Sequence, residues 1–205
     1  MTADAVVAGQ IAESAVLGPQ ARSRRVGWWG MVLLITTEAM IFAALLSSYF
    51  FVRANSNAWP QGGIAAPPLG RISVFTVLLL ASSVPLFWGE IAIRRGEIRQ
   101  LRLALAISFV LGLAFLLNQV NEFRTLGFSA KDNAYASLFI VITGLHGLHL
   151  IAGLLMSAVV QIKAGLGWFD ADRHQTVLLF SMYWHFVDVV WIFVFSSLYL
   201  STHLR

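Results

Sequence analysis

Long apolar stretches separated by short polar ones set the pattern of this chain. Five runs, roughly 28–52, 72–93, 103–123, 136–162 and 176–202, are almost free of charge. Each reaches the roughly 20 residues that a helix needs to cross a hydrocarbon layer about 30 Å thick. Period-two alternation is missing and the runs are too long for strands. The pattern therefore predicts an all-α, polytopic membrane protein: a bundle of five transmembrane helices.

The polar stretches between the runs read as loops. "ANSNAWPQGGIAAPPLG", Ala54 to Gly70, holds three of the five prolines and cannot continue a regular helix. "RRGEIRQLR" is a short basic turn, and "FSAKDN" and "GLGWFDADRHQ" are short and polar. Pro85 falls inside the second run, where the missing N–H predicts a kink. Residues 1–26 read as a flexible tail and 27–205 as the transmembrane domain; the N-terminus lacks the basic segment and apolar core of a signal peptide.

Composition sharpens this reading. Of 205 residues 58% are hydrophobic and only 12% charged, about half the charged share of a soluble domain. Without a single cysteine, disulfides, thiolate metal sites and cysteine nucleophiles are excluded. The formal charge of +4 does not point to nucleic acid, because the basic residues sit between apolar runs rather than along one face. Their placement instead sets a direction. Arg22, Arg24, Arg25, Arg94, Arg95, Arg99, Arg102, Lys163 and Arg173 fall on one side, against Arg53, Arg71, Arg124, Lys131 and Arg205 on the other. The more basic side is expected to be cytoplasmic, with the N-terminus inside and the C-terminus outside.

Against this background a few ionisable residues stand out. A charge at the bilayer centre costs about 2.5–3.5 kcal/mol on insertion scales. Counting about 1.5 Å per residue, Glu38, His149 and Asp188 fall near the middle of spans 1, 4 and 5, with His185 and His146 about a turn away. Glu38, His149, His185 and Asp188 are expected to meet as one hydrogen-bonded cluster, since pairing lowers the burial cost, and His146 belongs to the same buried polar set. Three readings of the set stay open: fixing helix register, relaying protons, or ligating a metal or haem through the i,i+3 pairs of "HGLH" and "HFVD". Glu90 and Arg94, four apart, are spaced to pair on one helix. Trp184, Trp191 and Phe195 share a face with Asp188 and read as packing. Thr143 with Gly147 and Gly153 with Ser157 would let another helix approach span 4 closely.

Four motifs carry a resemblance. "TTEAMIFAALLSSYF", "LGLAFLLNQVNEF", "ASLFIVITGLHGLHLIAG" and "YWHFVDVVWIFVFSSLYL" occur in the order and spacing of subunit III of the haem-copper respiratory oxidases, and the chain from about Trp28 onward is similar to that family. The resemblance implies membership of a proton-pumping terminal oxidase that reduces oxygen to water. It implies no cofactor in this chain, with haems and copper in partner subunits, and bound phospholipid. Subunit I would be the main contact, with subunit II and a small subunit IV as further partners, in a bacterial plasma membrane. Glu38, His146, His149, His185 and Asp188 carry over as signature residues rather than catalysts. Arg94 and Lys163, at span ends, are candidate headgroup contacts. Many members have seven spans, the first two without a counterpart here, and Glu90 stands where some relatives have a histidine. The quinol oxidase form and the accessory subunit of nitric oxide reductase share the resemblance; a stand-alone haem protein and a proton conductor are the alternatives outside it.

Overall fold

The computed structural model describes residues 19–203, with side chains from Val26 onward. Six helices make five membrane-length spans: α1 (Pro19–Ala54), α2 (Leu69–Ala81) with α3 (Ser83–Arg94), α4 (Ile98–Thr125), α5 (Ala134–Gly165), and α6 (Gln175–Val194), which continues into a wide terminal turn, Phe195–Leu200. Among the described residues no strand occurs. The expected tail, 1–26, falls mostly outside these residues, and α1 already begins at Pro19.

The first four spans extend one to five residues beyond their apolar runs, because helix termini can continue where headgroups and water satisfy the backbone. α5 starts where the Asn133 side chain accepts from the Ala136 N–H at 2.9 Å, a cap that quenches one of the orphan donors of the first turn. The long α1–α2 loop docks there too: the Gln61 carbonyl accepts from Asn133 Nδ2 at 3.2 Å.

Pro85 acts as its chemistry dictates. It has no N–H to give the Ala81 carbonyl four residues back, and the helical ladder breaks at Ser82, between α2 and α3. The break lies at the middle of the span Leu69–Arg94, where no water can repair it. At the neighbouring carbonyl protein supplies a donor: Ser108 Oγ on α4 donates to the Ser82 carbonyl at 2.7 Å.

The core is aromatic and lies along α4, α5 and α6, where Phe115, Phe139, Trp184 and Trp191 are buried. α6 is the central helix, with 56% of its most apolar window buried; α1 is peripheral, with only 6%. Trp184 sits edge-on between α4 and α5 in a slot that two glycines make. A Cβ at Gly112 would lie 2.6 Å from its Cη2, and one at Gly153 3.1 Å from its Cε3. Gly153 therefore admits a side chain rather than a closely approaching backbone, and Gly147 likewise receives the Gln119 amide, 3.1 Å from where a Cβ would stand.

Candidate functional site

The ionisable residues of the membrane interior do not form one cluster. They form two hydrogen-bonded groups on opposite sides of the α5–α6 core, and His146 belongs to neither.

The first group joins α1 to α5. His149 Nε2 lies 3.0 Å from Glu38 Oε2, and His149 Nδ1 lies 2.8 Å from the Leu145 carbonyl. A carbonyl only accepts, so Nδ1 must carry a proton. Nε2 and the carboxyl group then share one further proton, either as imidazolium with carboxylate or as imidazole with carboxylic acid. The pair is net neutral either way, which suits a site two residues from the middle of α1's span. Phe42 packs edge-on against the imidazole at 5.2 Å, and Tyr183 on α6 donates to the His149 carbonyl at 3.2 Å.

The second group joins α3 to α6 at the Pro85 break. Ser83 Oγ donates to Asp188 Oδ2 and lies 2.9 Å from His185 Nδ1. One turn further along the same interface, Ser181 Oγ donates to a Glu90 carboxylate oxygen. Next door, Trp184 Nε1 donates to Ser82 Oγ at 2.9 Å. Neighbouring serines at the break thus hold three consecutive polar contacts of α6, and Ser108 brings in α4. Asp188 Oδ1 is buried without a partner.

Several expectations are corrected here. His146 and His149 do not face one partner: three residues subtend about 60° on a helix, enough to turn His149 to α1 and His146 to α4 and α6. His146 is fully buried, both ring nitrogens unpartnered, and packs as an aromatic ring 4.6 Å from Trp191 and 6.1 Å from Phe115. Glu90 and Arg94 form no ion pair, because Glu90 turns toward the buried Ser181 hydroxyl while Arg94 is exposed at the end of α3. Among the described residues no three His, Asp or Glu side chains gather as a metal-binding group. Both nitrogens of His149 are committed to hydrogen bonds, so a haem held between His149 and His185 does not fit.

Sequence reasoning passed over Ser82, Ser83, Ser108 and Ser181. The signal was present: adjacent serines two residues before a proline, in the middle of an apolar run, mark a broken ladder whose polar groups need partners. Elsewhere, Tyr199 donates to Glu122 at 3.0 Å and Gln119 Nε2 to the Thr143 carbonyl at 2.5 Å.

At the end of the bundle where α1 begins, Lys163 Nζ sits 5.5 Å from the centre of the Trp168 ring, and Arg94 is exposed. A groove of about 410 Å³ near the start of α4 is lined by Arg99, Arg102, Leu103, Ala106 and Gln161. In the adjoining loop Asp170 accepts from Arg173 Nε at 2.8 Å and from the backbone of Asp172 and Arg173, which holds its carboxyl below the usual carboxylate range.

Comparison with known proteins places this arrangement. The family described as Cytochrome c oxidase subunit III matches residues 6–203. The chain is 34% identical over 174 residues to the cytochrome c oxidase subunit 3 of Thermostichus vulcanus, covering 84% of this chain and 86% of that one. It is 36% identical to a probable cytochrome c oxidase subunit 3 of Mycobacterium bovis, with 83% and 85% covered. With the cytochrome c oxidase subunit 3 of Danio rerio the identity is 35%, over 83% of this chain and 68% of that one.

Proposed function

The chain belongs to the cytochrome c oxidase subunit III family, and from that premise we propose that it is the non-redox scaffold subunit of a proton-pumping terminal oxidase. In this reading it stabilises subunit I, with subunit II and a small subunit IV nearby. It binds phospholipid and supports proton uptake and oxygen access. The haems and copper that pass electrons to oxygen reside in the partner subunits. The site is a bacterial plasma membrane, with the end where α1 begins facing the cytoplasm, as the arginine and lysine bias favours.

One observation carries the scaffold reading: the mid-membrane acids are tied to side chains of other helices, Glu38 to His149 and Asp188 to Ser83. Groups used in this way fix α1 on α5 and α3 on α6. The hydrogen bonds they make serve helix register. The exposed apolar faces of the bundle, α1 above all, supply surface for lipid and for neighbouring subunits. Arg94, Lys163 and the Arg99–Arg102 groove stand at headgroup level on the proposed cytoplasmic side, where each cation near an anionic surface contributes about 1 kcal/mol.

The test is purification of the whole complex from membranes, with its subunits identified by mass spectrometry. The oxidase subunits should co-purify with the chain, and Glu38→Ala or Asp188→Ala should lower its retention and shorten the life of the enzyme during turnover. Normal subunit content and lifetime in both variants would overturn the scaffold role.

A further inference from the structure

A polar atom that faces acyl chains in the middle of a bilayer has nothing to bond. Outer surfaces of membrane helices are accordingly apolar, and the outer face of α4 and α5 follows the rule: its exposed residues include Leu103, Val110, Leu117, Leu148, Leu155 and Val159. The α3–α6 face differs. His185 lies about two and a half residues from the middle of its span and is only partly buried. Its Nδ1 is engaged by Ser83, whereas its Nε2 makes no hydrogen bond among the described residues. Exposed apolar side chains surround it: Phe87 one turn from Ser83 on α3, Val189 one turn from His185 on α6, then Ile192.

The groups packed behind His185 are engaged with one another, Asp188 Oδ1 being the exception. Asp188 and Ser83 already bond each other, Glu90 is held by Ser181, and Trp184 is held by Ser82. The imidazole is thus anchored at one nitrogen and presents the other outward.

Resting on the subunit reading above, we propose that the α3–α6 face around His185 is a protein interface, covered in the assembled oxidase by one transmembrane helix of a partner subunit. That helix carries a hydroxyl or amide side chain at mid-membrane depth against His185 Nε2. Hydroxyls and amides can donate or accept, and so meet either tautomer of the ring. Phe87, Val189 and Ile192 form the apolar surround that excludes lipid from the contact, the arrangement in which a buried polar pair is most effective. The outer face of α4 and α5, with no such group, is left to lipid.

Photo-crosslinking residues placed at Phe87, Val189 and, as control, Leu155 test this in the intact complex. The first two should capture the same partner subunit within its membrane region, and Leu155 should capture only lipid. In detergent, His185→Phe should weaken retention of the chain roughly three- to twenty-fold, the factor expected for one intramembrane hydrogen bond, and His185→Gln should restore most of it. If the chain co-purifies with oxidase subunits while Phe87 and Val189 capture only lipid, the interface is refuted and the subunit reading survives. If no oxidase subunit co-purifies, the subunit reading itself fails, and the interface with it.

Discussion

Gly112→Ala adds one methyl group to the middle of α4. On helix propensity alone this should stabilise, by up to about 1 kcal/mol. The structure predicts the opposite, because the new Cβ would lie 2.6 Å and 2.8 Å from Trp184 Cη2 and Cζ2. The indole cannot withdraw. Its other edge fills the slot at Gly153, where a Cβ would meet it at 3.1 Å and 3.2 Å, and its Nε1 is held by Ser82. Overpacking of a tight core costs about 1–3 kcal/mol, and a displaced indole forfeits a buried hydrogen bond of about 1 kcal/mol. These terms exceed the propensity gain, so the net loss should be about 1–3 kcal/mol. Reversible unfolding in mixed micelles, followed by far-ultraviolet circular dichroism, measures it. The second arm is the same change in a Trp184→Phe background. The smaller ring leaves room for the methyl group there, so the sign should reverse and Gly112→Ala should become neutral or stabilising. An equal cost in both backgrounds, or no cost with Trp184 present, would refute the slot.

Ser82→Ala removes the acceptor of Trp184 Nε1 while leaving the backbone carbonyl that Ser108 engages. Unfolding stability should fall by about 1–2 kcal/mol, and by little once Trp184 is Phe. Arg53 donates to the hydroxyl and the carbonyl of Ser201 at 2.5 Å and 2.9 Å. Arg53→Ala should therefore release the final turn, seen as roughly ten-fold faster amide exchange near Leu198–Thr202, with the core unchanged. Asp170 has its carboxyl held down by Arg173; with a folded value below the unfolded one, the loop is supported above the usual carboxylate range and loosens only as pH falls through the lower value. Carboxyl carbon shifts of labelled Asp170 followed against pH should titrate below the usual range, and move back toward it in Arg173→Ala, which keeps the two backbone donors.

The spans were legible because length and apolar content alone decide whether a helix can cross a membrane. The depth of Glu38, His149, His185 and Asp188 was legible too, since a helix climbs by a fixed rise. Azimuth was not. Which way His149 and His185 turn depends on which neighbours flank α5 and α6, and the shared depth that suggested one cluster conceals two sides of a core. The Glu90–Arg94 spacing was correct for a pair, but a buried hydroxyl on another helix took the carboxylate. The serines at the break were missed for a related reason. A hydroxyl in an apolar run usually bonds its own helix, as Thr36 and Ser48 do here, and only the nearby Pro85 distinguishes Ser82 and Ser83. Gly153 was read as a place where another helix approaches closely, yet what enters is the edge of an indole, which helical spacing does not reveal.

A double-mutant cycle on Glu38 and His149, measured as unfolding free energy in bilayers with the single variants Glu38→Ala and His149→Ala and their combination, tests the central claim most directly. If acids and imidazoles persist in this membrane because they satisfy one another, the cycle should yield a favourable coupling of about 0.6–2 kcal/mol, and Glu38→Gln should keep most of it. A coupling of zero, with the two single losses simply adding, would contradict the account.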